Sequence, residues 1–186
     1  MPAAALARFL IGKQLVRHLP EGLVTGRIVE TEAYIPGDAA SHAYRGRTKR
    51  NASLFLEVGH AYIYLAYGIS YMVNVSAEPS CIGGGVLIRA IEPVDGIGIM
   101  RLNRGVERLT DIARGPGRLA AALRVDLRLD GTDLCQTGPL WLARGDGAAC
   151  DIGESVRIGI TRDAARKLRY FVRGNGFVSG PRSLNR

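Results

Sequence analysis

The stretch from Arg27 to Asn51, RIVETEAYIPGDAASHAYRGRTKRN, gathers the residue types that could do chemistry. Along an extended strand alternate side chains share a face. Ile28, Glu30, Glu32 and Tyr34 are therefore expected on one face, and Val29, Thr31, Ala33 and Ile35 on the other, which reads as core. His42 follows, then the cations Arg45, Arg47, Lys49 and Arg50. A carboxylate can take a proton from water, flat rings can hold a flat group, and clustered cations suit a polyanion. Together these are the parts needed to work on a nucleic-acid base.

Other chemistries fit less well. His18, His42 and His60 show no helical H-x-x-x-H and no paired Cys/His spacing, so a metal site is not expected. No G-x-S-x-G frames a serine nucleophile. Gly83-Gly84-Gly85 reads as a flexible turn and lacks the lysine and following helix of a phosphate cradle. Arg89 stands in the middle of the apolar run VLIRAI, where an arginine needs a partner. Alone it would read as half of a structural ion pair; Glu30 and Glu32 are its candidate partners. Asn74 is polar in mid-strand and needs hydrogen bonds if buried.

These residues need strands to hold them. The strand through Val24–Tyr34 is broken by Pro36-Gly37-Asp38. HAYIYLAYGISYMVNVSAE reads as two strands, Ala61–Leu65 and Ser70–Ser76, joined by a turn through Ala66-Tyr67-Gly68-Ile69. Tyr67 then sits at a hairpin tip, where its ring either folds back onto the strands or projects. Tyr62 and Tyr64 share one face; Met72, Asn74 and Ser76 share another. Val86–Ile91 reads as a buried strand ended by Glu92-Pro93. Helices are expected over Pro2–Leu10, with Leu6, Phe9 and Leu10 facing inward, over Val94–Arg104, and over Arg118–Leu123 after Arg114-Gly115-Pro116-Gly117. Leu140–Ala143 and Ser155–Ile160 read as further strands. Arg162, Arg166, Lys167, Arg169 and Arg173 form a second basic cluster, a solvated face or a track for phosphates.

The chain of 186 residues fits one domain, with no internal repeat or linker. Its net charge of +8 favours nucleic acid as partner, ahead of an anionic membrane surface. No segment approaches the ~20 apolar residues of a membrane span, and no signal peptide is read at the N-terminus. The cysteines, Cys81, Cys135 and Cys150, lack a C-x-x-C and are expected to be buried or idle thiols in a reducing cytoplasm. Arginine-rich, lysine-poor composition points weakly to a GC-rich bacterial genome.

GRIVETEAY, SHAYRGRTKRN, HAYIYLAYGISYMVNV, VLIRAIEP, GPGRLAAAL and RKLRYFVRGNGFVSG together resemble the alkyladenine (3-methyladenine) DNA glycosylase family of base-excision repair, over nearly the whole chain and in the family's order. The resemblance implies a mixed α/β (α+β) domain on a curved, largely antiparallel sheet with a protruding hairpin and surrounding helices. It implies no metal or nucleotide cofactor, and as partner duplex DNA carrying damaged purines: 3-methyladenine, 7-methylguanine and often hypoxanthine. The protein is expected to act as a monomer on bacterial nucleoid DNA. The resemblance makes Glu32 the base that activates water, with Arg89 and nearby backbone holding that water. Tyr34, His42 and Tyr64 would surround the flipped base, Asn74 would guard the pocket edge, and Tyr67 would fill the gap left in the duplex. The basic residues Arg45, Arg47, Lys49 and Arg50 would meet phosphates. The chain departs from the family pattern at Ile35-Pro36-Gly37-Asp38, where proline and glycine change order and one residue fewer is present.

Two other readings stay open on the sequence. A non-catalytic nucleic-acid binder would need the basic residues but not Glu32, Arg89, Asn74 and Tyr67 together. A glycosylase with lyase activity would need an amine nucleophile in the pocket, and Lys13, Lys49 and Lys167 fall outside the motifs above.

Overall fold

The computed structural model describes residues 1–185. Its trunk is β2 (Gly22–Tyr34), around which the sheet branches. One edge of β2 pairs with β5 (Gly84–Asp95). The other edge pairs first with β1 (Gln14–Leu19), and then, over Glu30–Glu32, with β8 (Arg169–Val172). Beyond β5 lie β4 (Ser70–Ala77) and β3 (Ala61–Ala66); β6 (Leu140–Ala143) adds to β1, and β7 (Ile152–Ser155) to β8. All of these ladders are antiparallel and the sheet is curled, so the fold is α+β as expected.

Helices α1 (Ala3–Leu10), α2 (Ile97–Arg104) and α3 (Pro116–Ala122) cover the sheet, and the main core lies beneath α1 and α3. Pro2, at the start of α1, brings no capping side chain, and the Glu78 carboxylate instead accepts from the Ala3 N–H at 2.7 Å. Leu6 and Leu10 face inward as expected, but Phe9 is exposed, with the Lys13 ammonium 4.9 Å from its ring centre.

Strict alternation on β2 fails at one point. Glu30 pairs with Ala90 rather than Arg89, between register shifts on either side, and the original register resumes at Thr31–Ile88. Paired bulges of this kind put two adjacent residues on the same face. Ile28 and Ile91 therefore enter the main core, whereas Val29 and Ala90 join a second cluster with Phe171 and Val178. The expected placing of Ile28 with the glutamates, and of Val29 with Ala33, is corrected accordingly.

Four further expectations change. Strand β5 runs through Glu92-Pro93 to Asp95, because β4 leaves it at Leu87 and Pro93 then lies near an unpaired edge opposite another register shift. Gly84 and Gly85 belong to β5 rather than to a loose turn. The segment after Ser155 is irregular and not a strand, while β1 and β8 were not read from the sequence at all. Cys81 and Cys135 are exposed and Cys150 half-buried, so the thiols are free but not buried.

Arg169 departs most from expectation. It is fully buried rather than part of a basic surface; its cluster-mates Arg162, Arg166, Lys167 and Arg173 are exposed. Its Nε donates to Glu30 at 2.6 Å, and its other nitrogens bond Ser155, Asn185 and the carbonyls of Ser179 and Leu184. Arg169→Ala would remove the centre of this network and strip Glu30 of a close cation. Losing one partner of a buried pair costs about 3–5 kcal/mol. Urea unfolding of this variant should show a loss of that size; a loss below about 1 kcal/mol, ordinary for a surface change, would contradict the network.

Candidate functional site

Both glutamates of β2 are fully buried, and both project on the side of the sheet that also carries Arg89. Arg89 bridges them: its Nε lies 3.1 Å from a Glu30 oxygen and its Nη1 3.2 Å from Glu32 Oε1. Arg169 and the Ser179 N–H, the latter at 2.7 Å, also bond Glu30. Glu32 is held differently. Its Oε1 accepts from the Ile158 N–H at 2.7 Å and its Oε2 from the Tyr34 hydroxyl at 3.0 Å. With Arg89 that makes three partners, where a carboxylate offers about four acceptor sites.

Burial pushes the Glu32 carboxyl above its ordinary value of 4.5; Arg89, the Ile158 N–H and the Tyr34 hydroxyl pull it down but do not win. An adjacent arginine by itself favours the ionised carboxylate, and here burial outweighs it. For Arg89 burial alone would lower the pKa, and Glu32 and Glu30 more than offset it. Burial, then the neighbouring Glu32, raises the Tyr34 phenol, so it remains a proton donor to the carboxylate.

Beside Glu32 a small cavity of about 30 Å³ is lined by Tyr34, Ser41, His42, Leu54, Tyr62, Tyr64, Asn74 and Gly85. The ladder explains the set. Tyr62 pairs with Asn74 across β3–β4, and Asn74 with Leu87 across β4–β5, one strand away from Glu32. Tyr62 and Tyr64 stack at 5.4 Å, and His42 meets the Tyr64 ring edge-on at 4.5 Å. His42 Nδ1 lies 2.9 Å from the Tyr62 hydroxyl. Burial, then Arg50, lowers the His42 pKa below 6.5, so the ring is neutral at physiological pH. Asn74 donates to the Tyr62 carbonyl at 3.1 Å, which meets its need for a partner. Gly85 is required here, since a Cβ would come within 2.7 Å of Leu54.

The basic loop is anchored from within. The Asn51 side chain donates to the carbonyls of His42 and Gly46, at 2.8 and 3.0 Å, and accepts from the Thr48 N–H at 2.6 Å. Arg45, Arg47, Lys49 and Arg50 are all exposed. Arg45 and Arg50 line a cleft with His42 and Tyr62, and Arg162 reaches it from the far end of the chain.

Tyr67 stands at the tip between β3 and β4 with φ +52 and is 91% exposed, so its ring does not fold back. Ile69, on the same tip, is 83% exposed and was not singled out in the sequence. Helix α3 braces the hairpin so closely that a Cβ on Gly117 would sit 2.9 Å from Ser70.

Sequence reasoning missed Tyr62, Ser41 and Asn51 in this region, and above all Arg157 and Asp38. Arg157 and Asp38 form a buried pair, and the guanidinium carbon lies 4.7 Å from the Tyr34 ring centre. In the sequence Arg157 is one arginine in an ordinary run and Asp38 one turn residue; no local pattern joins them.

The model of the family described as methylpurine-DNA glycosylase (MPG) matches residues 1–176. The chain belongs to the methylpurine-DNA glycosylase family. It is 71% identical over 181 residues to a protein of Mesorhizobium japonicum, covering 97% of this chain and 87% of the relative. It is 51% identical over 179 residues to one of Paraburkholderia phytofirmans (96% and 84%), and 44% identical over 176 residues to one of Rubrobacter xylanophilus (95% and 92%). All three carry the name "Putative 3-methyladenine DNA glycosylase". Membership in this glycosylase family makes the chain an enzyme of DNA repair, a hydrolase of N-glycosyl bonds in DNA. Among the described residues no helix is long and apolar enough to cross a membrane.

The Tyr34 hydroxyl bond to Glu32 can be tested without substrate. Tyr34→Phe removes one of the groups that lower the Glu32 pKa, so the carboxyl should titrate higher still, as read from its ¹³C shift. A carboxyl raised in the folded state destabilises the fold as pH climbs from 4.5 through the raised value, and that window should widen upward in the variant. An unchanged midpoint would show that the hydroxyl does not bond the carboxylate in solution.

Proposed function

We propose that this methylpurine-DNA glycosylase extrudes alkylated purines, 3-methyladenine and 7-methylguanine among them, from duplex DNA and hydrolyses their N-glycosidic bond with water activated by Glu32. The observation that carries the reading is Glu32 itself. It is a buried carboxylate hydrogen-bonded to Tyr34, a wall of the aromatic cavity, and held also by Arg89 and the Ile158 N–H, with one acceptor site to spare. A carboxylate so placed takes a proton as water attacks C1′ of the deoxyribose. The C1′–N bond breaks with its electron pair passing to the purine, and an abasic sugar remains. A ring-alkylated purine already carries positive charge and leaves neutral, so no second acid is needed. The rings of Tyr34, His42 and Tyr64 suit such a cation, and the neutral His42 adds no repulsion.

The cavity holds about one or two waters rather than a purine. Base entry therefore parts the rings; His42 is the exposed one of them, and its ring must leave the Tyr62 hydroxyl to do so. Asn74 stands where an exocyclic amino group would crowd the wall. Tyr67 enters the duplex at the vacated position, and Arg45, Arg47, Lys49 and Arg50 meet phosphates. Neither Lys13, Lys49 nor Lys167 lines the cavity, which favours water rather than a lysine as nucleophile. The protein is proposed to act as a one-domain monomer.

Glu32→Gln keeps the shape of the side chain but cannot take the proton. Base release from a duplex with one 7-methylguanine, read by alkaline cleavage at the abasic site, should fall by about 10²-fold or more, with binding of the duplex retained. Release near the wild-type rate would remove Glu32 from the role.

Tyr67→Ala should change stability by no more than about 0.5 kcal/mol, because the tip residue buries almost nothing. Its single-turnover rate should fall further for a lesion in a paired duplex than for the same lesion unpaired, since restacking competes harder in the pair. Equal losses on both substrates would mean that Tyr67 does not fill the vacated position.

A further inference from the structure

Behind the Tyr34 ring lies a charge pair that the reaction does not use. The side chains of Asp38 and Arg157 are completely buried. Arg157 Nη1 pairs with Asp38 Oδ2 and Nη2 donates to Oδ1 at 3.0 Å; Nη1 also donates to the Ala33 carbonyl at 3.0 Å. Arg157 Nε has no hydrogen-bond partner among the described residues, consistent with a guanidinium placed for the ring rather than for its hydrogen bonds. The pair also touches the rest of the site. The residue after Arg157 supplies the N–H that binds Glu32, and Asp38 accepts from the Ala40 N–H at 3.0 Å in the loop leading to His42.

We infer that the Asp38–Arg157 pair determines how the cavity discriminates between cationic and neutral bases, by backing the Tyr34 ring with a guanidinium whose charge Asp38 cancels. The inference rests on the assignment of this cavity to damaged purines. A guanidinium covers one face of the ring, so a stacked base meets the other. At van der Waals contact the base lies about 3.5–4 Å from the ring, and its charge about 8 Å from the guanidinium. An uncancelled cation at that range repels a cationic base by about ten- to thirtyfold in affinity at an effective dielectric near 20. It leaves a neutral base almost untouched. With Asp38 in place the cation is neutralised, and the π-face of Tyr34 keeps its attraction for a positive ring.

The test uses the whole protein and two otherwise identical duplexes, one with 7-methylguanine, a cation, and one with hypoxanthine, which is neutral. Single-turnover release is measured on each and the ratio taken, so that any general loss of structure cancels. For a lesion that is not released, the dissociation constant of the Glu32→Gln protein replaces the rate. Asp38→Asn should lower the 7-methylguanine to hypoxanthine ratio by about tenfold or more. Arg157→Met removes the cation, and the buried Asp38 carboxyl left without it takes up a proton, so the ratio should stay near the wild-type value. The double variant, with neither charge, should return it to the wild-type value. If Asp38→Asn does not fold, Asp38→Ser, which also leaves the cation uncancelled, is measured in its place, and its ratio must fall. Equal losses on both lesions, or an Asp38 variant whose ratio does not fall, overturn the proposal and leave the pair as a clamp for the loop. Wild-type protein that neither releases nor binds either lesion would instead overturn the assignment of the cavity, and would show this before any variant is made.

Discussion

Two carboxylates on one strand, two residues apart and both fully buried, are the constraint on which the rest of this structure depends. Neither could remain ionised there without compensation, because desolvation of an unpaired charge costs several kcal/mol. Arg89 compensates both at once from the neighbouring strand. Arg169 and Ser179 complete Glu30, while Ile158 and Tyr34 complete Glu32. The C-terminal segment is folded back onto β2 to supply these groups, so the packing of residues 155–185 and the state of the site are one problem.

The two glutamates end with different duties. Glu30 is held by two arginines and a backbone N–H, so it anchors Arg89 and the C-terminal segment. Glu32 also has three partners, but its pKa is raised and one of those partners, Tyr34, walls an aromatic cavity. A site that burns off its own base by burial still gains from it: a carboxylate with a higher pKa is a stronger proton acceptor when ionised, provided it is ionised at the working pH. Arg89 supplies that condition, and the hydrogen bonds from Tyr34 and Ile158 fix the direction in which the free acceptor site points.

Much of this was legible in the sequence. Most of β2, from Val24 to Tyr34, the hairpin turn at Tyr67 and the strand carrying Arg89 follow from alternating patterns, an apolar run and turn residues that act over a few positions. Where a local rule failed, the cause was specific. The paired bulge at Val29–Glu30 is a property of two strands together, and the run through Pro93 is tolerated because of where β4 ends. Phe9 follows helical spacing but falls off the covered face of α1.

The sequence by itself determined which chemical groups are present, which of them share a strand face near Glu32, and the family to which the chain belongs. Tertiary structure alone decided their partners and their charge states. Arg157 stands 119 residues from Asp38 and Arg169 stands 139 from Glu30, so no periodicity links either pair. Of Arg162, Arg166, Lys167, Arg169 and Arg173 only Arg169 is buried, because β8 pairs with β2 beside Glu30 and brings its guanidinium onto that carboxylate. The direction of the Glu32 pKa likewise depends on the balance of burial against three donors from three separate segments. Composition can show that the groups exist, but only the folded chain sets the distances through which they act.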